Sequence, residues 1–171
     1  KLFHPKEYQL YIGRILLLII IGFMQSALIC LGDLFVLGIQ CKHPVMFVLT
    51  GMFTSFVYVN LIYALTVSFG DIGKAIAVVL MVMQVAGSGG TFPIQCAPKF
   101  FQVVYPLLPF THSMNAMREC IAGFYGTTYA TELGKLAIYL VPSLLLGLLL
   151  RKPIIKMNEA FMEKLESTHL I

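Results

Sequence analysis

Three amide side chains, Gln25, Asn60 and Gln84, and one carboxylate, Asp33, interrupt long apolar runs. Inside hydrocarbon a polar side chain must find a hydrogen-bond partner or water, so each defines a chemical question. The amides either bond between helices, at ~0.6 kcal/mol and up to ~2 kcal/mol each, or line a row along which a substrate passes. Asp33 either ends a helix in the interfacial zone or meets water or a cation just inside it. A second group, Asn115, Arg118 and Glu119, falls in the stretch THSMNAMRECIAGFYG. Asn115 stands three residues before Arg118 and so shares its helix face. Arg118 either ties broken backbone together through carbonyl or carboxylate contacts, or forms part of an outward-facing gate or receptor surface.

Other chemistries lack their residues. GSGG at Gly87–Gly90 has no Lys-Ser/Thr after it and follows an apolar helix rather than a strand, so it is not a phosphate loop. No HExxH, GxSxG or paired-carboxylate arrangement occurs, and His4, His43, His112 and His169 are scattered. Cys30, Cys41, Cys96 and Cys120 have no metal-ligand spacing. They are read as small buried apolar side chains, with a Cys96–Cys120 bridge in an oxidising compartment as the alternative. The expectation is a chain without catalysis, cofactor, metal site or nucleic-acid recognition of its own.

The elements that must position these residues are membrane helices. Charged residues make up 12% of the chain and the mean hydropathy is +0.86, far from soluble composition, where about a quarter of residues are charged. Ile15–Gly32 gives 18 residues without a charge, about 27 Å of helix. Spans are expected over about 11–39, 45–69, 72–91 and 134–150, with Pro142 kinking the last and Thr127–Gly134 as a polar connector. In the second span Thr50, Thr54 and Tyr58 share one face at i+4 spacing. Gly70–Lys74 is short enough to force an antiparallel return.

Between the third and fourth spans, residues 92–126 are too apolar for a solvated loop. Gly87, Gly89 and Gly90 precede Pro93, Pro98, Pro106 and Pro109, and no straight helix survives that sequence. Short broken helices dipping into the membrane, packed against the other spans, are expected. The glycines would permit a sharp turn and close helix contact. Residues 151–171 put Met157, Phe161 and Leu165 on one face of an amphipathic tail for the bilayer surface or a partner. With four spans both ends lie on one side. Eight basic residues fall on that side and four opposite, so the positive-inside rule assigns the ends to the cytoplasm and the broken hairpin to the exterior.

GDLFVLGIQ (Gly32–Gln40), AGSGGTFPIQ (Ala86–Gln95) and YPLLPFTHSMNAMRECIAGFYG (Tyr105–Gly126) resemble the carboxy-terminal membrane domain of the YhgE/Pip, or phage infection protein, family. That family in turn resembles the membrane subunits of type 2 ABC exporters. The resemblance implies an all-α integral membrane fold: the last four helices of a six-span domain, with 92–126 as an outward re-entrant hairpin before the last span. It departs from the family pattern at His112, where an aromatic residue is expected.

The resemblance further implies a piece of a longer bacterial cell-membrane protein, preceded by a span and an extracellular region. Its function would be export or transmembrane passage, exploited by bacteriophage for adsorption or DNA ejection. A homodimer embedded in lipid is expected, with a separate nucleotide-binding ATPase if ATP is used, and phage or secretion components as further partners. Gln25, Asp33, Asn60 and Gln84 would line the path. Gly87, Gly89, Gly90, Pro93, Asn115, Arg118 and Glu119 would build the gate. The alternative is a non-transporting anchor for an extracellular receptor region, or an accessory of type VII secretion. In that case the polar residues only join helices.

Overall fold

A computed structural model of the chain describes residues 7–90 and 93–149, so the amphipathic tail expected at 151–171 lies outside the described residues. The described part is helical. α1 covers Glu7–Phe35, α2 Pro44–Phe69 and α3 Asp71–Gly87. α4, Lys99–Val104, is a short helix between 3-10 turns at Ile94–Cys96 and Tyr105–Leu107. α5 covers Pro109–Ala122, α6 Thr128–Ile138 and α7 Leu140–Leu144, which passes into a π-helical turn at Leu145–Leu149.

α2 is the central helix, with α1, α3, α5 and α7 packed around it. Its buried positions, among them Thr50, Gly51, Val57, Asn60, Ala64 and Ser68, are mostly small. That suits a setting where apolar burial alone does not drive association and backbones must approach closely. Many large apolar side chains, among them Leu17, Met24, Leu28, Val79 and Val82, are exposed, as lipid-facing residues are.

Three helical stretches, Tyr11–Phe35, Pro44–Phe69 and Thr128–Leu148, are long and apolar enough to cross a membrane. α3 has 17 residues, about 26 Å of helix. It stops at Gly87 rather than at residue 91, because the chain turns through Ser88 into Gly89 at φ 66°.

Two other boundaries differ from expectation. α1 ends at Phe35, not at residue 39. Val36 and Leu37 both donate to the Gly32 carbonyl, at 2.8 and 3.1 Å, and Gly38 at φ 64° turns the chain away. The stretch 127–134, expected as a polar connector, is helical from Thr128. Glu132 on it is buried against His112 of α5, whereas Thr131 stays exposed and bonds back to the Thr127 carbonyl. Pro142 lies where the last helix is interrupted: α6 stops at Ile138 and α7 starts at Leu140. A proline has no N–H for the carbonyl four residues earlier, that of Ile138, and its ring crowds it. The Ser68 hydroxyl donates to the Leu146 carbonyl at 3.1 Å, from α2 into the π-helical turn.

Two tight connections depend on glycine. Gly70, between α2 and α3, has φ 60°, and Gly123, after α5, has φ 108°; side-chain-bearing residues rarely adopt either. The Gly123 amide donates to the Glu119 carbonyl at 2.9 Å and ends the helix.

Candidate functional site

The proline-rich stretch folds as its composition dictates. Pro109 occupies the first turn of α5, where its missing N–H costs nothing, and Pro98 precedes α4 in an extended conformation. Short helices result, and α5 is the one that docks deeply. Thr111, His112, Ser113, Ala116 and Cys120 are buried on it, against α2, α3 and α6.

At the α3 end, the Arg118 guanidinium donates from Nη2 to the Gly89 carbonyl at 2.8 Å. This bond fastens α5 to the turn after α3. Beside it a cleft of about 360 Å³ is lined by Gly89, Gly90, Pro93, Gln95, Tyr105 and Arg118. Gly87 is buried, and a Cβ there would stand 2.9 Å from Leu108 Cδ1 and 3.0 Å from Phe101 Cδ1. α3 therefore meets the broken segment with no room to spare.

On the other side α5 meets the last helix through a polar knot. His112 Nδ1 lies 2.6 Å from Glu132 Oε2, and His112 Nε2 lies 3.1 Å from the Pro106 carbonyl. That carbonyl can only accept, so Nε2 carries a proton, and a further proton lies between Nδ1 and the carboxylate. Lys135 Nζ donates to the second Glu132 oxygen at 2.9 Å. The Tyr139 hydroxyl donates to the Leu107 carbonyl at 2.8 Å. The adjacent Thr111 hydroxyl is buried and has no hydrogen-bond partner among the described residues.

A third contact joins the far end of α5 to the α1–α2 link. The Lys42 and His43 amides donate to the carbonyls of Ile121 and Cys120, at 3.3 and 3.1 Å, and the Cys41 thiol donates to the Cys120 carbonyl at 3.2 Å. The His43 ring stacks on Phe124 with centroids 4.3 Å apart. The Thr50 hydroxyl lies 2.9 Å from the Tyr129 hydroxyl and 3.6 Å from Cys120 Sγ. Burial pushes the Cys120 thiol above its ordinary pKa against the opposing effect of the Thr50 hydrogen bond. Cys96, by contrast, is exposed, and all four cysteines are free thiols.

The four polar residues expected in the spans do not form one row. Gln25 is exposed on α1. Asp33 is half-buried in the last turn of α1, where its carbonyl accepts the Ile39 amide at 3.2 Å. Asn60 is buried and donates to the Phe56 carbonyl of its own helix at 2.8 Å. Gln84 is buried on α3, where its Oε1 accepts from the Tyr58 hydroxyl of α2. The residues expected at the hairpin are closer together. Gly89, Gly90, Pro93 and Arg118 line the cleft, and Gly87 lies just below it. Asn115 is half-buried on α5, and Glu119 Oε2 accepts the Tyr125 amide at 2.7 Å beyond the helix end. Sequence reasoning missed the His112–Glu132–Lys135 knot. The one signal for it was a histidine at 112 in place of an aromatic residue.

The chain matches the family of ABC-2 family transporter proteins over residues 5–149. A protein of Bacillus subtilis (strain 168), described as "Uncharacterized protein YhgE", is 30% identical over 115 residues. The match covers 67% of this chain and 15% of that relative's length. No solved structure matches the chain.

Proposed function

The chain belongs to the ABC-2 family transporter proteins, and we propose that in its full-length protein it is the permease part of a YhgE/Pip-type envelope exporter. It is a multi-pass helical membrane domain with a permease-like role. In the proposal α3 crosses as a fourth helix, both ends of the chain are cytoplasmic, and α4 and α5 form a re-entrant hairpin facing outward. Two copies enclose the path, a separate ATPase subunit supplies energy, and bacteriophages use the assembly as a host factor for adsorption or DNA ejection.

The observation that carries this reading is how the broken segment is held. α5 is bonded at one side to the turn after α3, through Arg118 and Gly89, and at the other to the last helix, through His112 and Glu132. Besides its packing on α2, the segment is clipped by polar contacts to the helices on either side, so it can follow their relative movement, as an outer gate must.

A second reading, a non-transporting anchor for an extracellular region, gains from the placement of Gln25, Asn60 and Gln84. Two of the three amides bond within or between helices and the third lies outside the bundle. Purifying the full-length protein from its native membrane separates the two. Export predicts a copurifying nucleotide-binding subunit whose ATP hydrolysis falls when Glu132→Ala loosens the hairpin. Recovery without any ATPase, with phage adsorption intact, would establish the anchor instead.

A further inference from the structure

The exposed side of α3 carries an apolar trough of about 330 Å³, formed by Met81, Val82, Val85 and Ala86. Val82, Val85 and Ala86 lie on one side of α3, Val82 at i+3 and i+4 from the other two, and the helix ends at Gly87, two residues before Gly89 of the cleft, so the trough reaches the end of α3 at which the Arg118 cleft opens. The two differ in chemistry. The trough is hydrocarbon, whereas the cleft presents the Arg118 guanidinium together with Gln95 and Tyr105. Among the described residues no carboxylate lines either one.

The guanidinium has five N–H donors in a fixed plane. Among the described residues its hydrogen-bond partner is the Gly89 carbonyl, which holds the plane in place and leaves donors for a ligand. An oriented guanidinium with spare donors matches a phosphate better than any neutral group. Depth agrees with a headgroup. α3 rises about 26 Å from Asp71, close to the ~30 Å of a bilayer's hydrocarbon, so the cleft at its end lies at the interface.

We propose that trough and cleft together bind one anionic phospholipid, an acyl chain along Met81–Ala86 and the phosphate against Arg118. Charge selects the lipid: Arg118 makes no ion pair among the described residues, and a cation at headgroup level favours a net negative headgroup over a zwitterionic one. The apolar half selects a lipid over a soluble phosphate, which would leave the trough uncovered. The proposal rests on the crossing of α3 proposed above and holds whether or not the assembly exports anything.

Native mass spectrometry of the full-length protein in neutral detergent tests this, with phosphatidylglycerol, phosphatidylcholine of the same chains, and glycerol phosphate as probes. Phosphatidylglycerol should bind about fivefold or more tightly than phosphatidylcholine, and glycerol phosphate should not displace it. Arg118→Gln should abolish the preference between the lipids. Because that change also removes the bond to Gly89, Ala86→Phe serves as a second variant. It fills the trough from an exposed position, and it should weaken both lipids while leaving Arg118 in place. Equal binding of the two lipids to the unaltered protein overturns the proposal. Displacement by glycerol phosphate at matched concentration, or wild-type binding by Ala86→Phe, does the same.

Discussion

His112 Nδ1 lies 2.6 Å from Glu132 Oε2, joining α5 to α6 in a site where both side chains are buried. Removing one partner of such a pair leaves the other without its counterpart in a poorly solvated place. Glu132→Ala is therefore expected to destabilise the protein by ~3–5 kcal/mol, read as a lowered unfolding temperature in detergent. Lys135, about half exposed at its side chain, can turn to water, so Lys135→Ala should cost no more than about 1 kcal/mol. The double variant His112→Phe/Glu132→Leu should recover most of the loss, since apolar replacement of a whole buried pair is often neutral. A double variant as unstable as the sum of the single ones would show that the two residues do not act as a pair.

Close packing at the α2–α3 turn gives a second prediction. A Cβ on Gly73 would run into the backbone carbonyl oxygen of Leu65, and backbone cannot step aside as a side-chain tip can. Gly73→Ala should destabilise by ~1–3 kcal/mol through overpacking. Gly134, on α6, has nothing among the described residues within 4 Å of the same atom. There alanine should be neutral or stabilise by up to ~1 kcal/mol through helix propensity. Thermal unfolding of the two variants side by side checks the contrast, and equal effects would contradict the crossing geometry.

Tyr58 and Gln84 bond between α2 and α3. Tyr58→Phe and Gln84→Leu should each weaken the α2–α3 contact, with a coupling of ~0.6–1.7 kcal/mol in a double-mutant cycle. If Gln84 acts only in this bond, the two single variants should affect phage sensitivity alike. A much larger functional loss in Gln84→Leu than in Tyr58→Phe, at matched stability, would point to a path-lining role for the amide.

The helical course of α1, α2 and the broken stretch was legible because each rests on a local property. Charge-free length marks a span, and glycine and proline between Gly87 and Pro109 mark where none can continue. The end of α1 was not legible, since Val36, Leu37 and Ile39 are as apolar as the helix before them. The stop comes from the backbone at Gly38, which composition does not register. The start of α6 was misjudged for the opposite reason. Thr128, Thr131, Glu132 and Lys135 look like a connector, yet Glu132 is buried because its partner His112 stands 20 residues earlier. A contact between two helices joined by a turn leaves no periodic trace in either. Gln84 resembles it, since its polarity was plain and its partner, Tyr58, was not.

Cysteine chemistry offers a test of which way the hairpin faces. Cys96 is exposed in the 3-10 turn before α4, whereas Cys30 and Cys120 are buried and Cys41 is half-buried. Maleimides react with the thiolate, and burial raises the Cys120 pKa, so this thiol is disfavoured twice. In intact cells a membrane-impermeant maleimide should label the full-length protein, and Cys96→Ser should remove most of the signal attributable to this domain. Cys120→Ser should change labelling little. The same turn facing the cytoplasm would give labelling at Cys96 only after permeabilisation. That result would reverse the topology and remove the outer gate, while leaving the contacts between α3, α5 and α6 as they are.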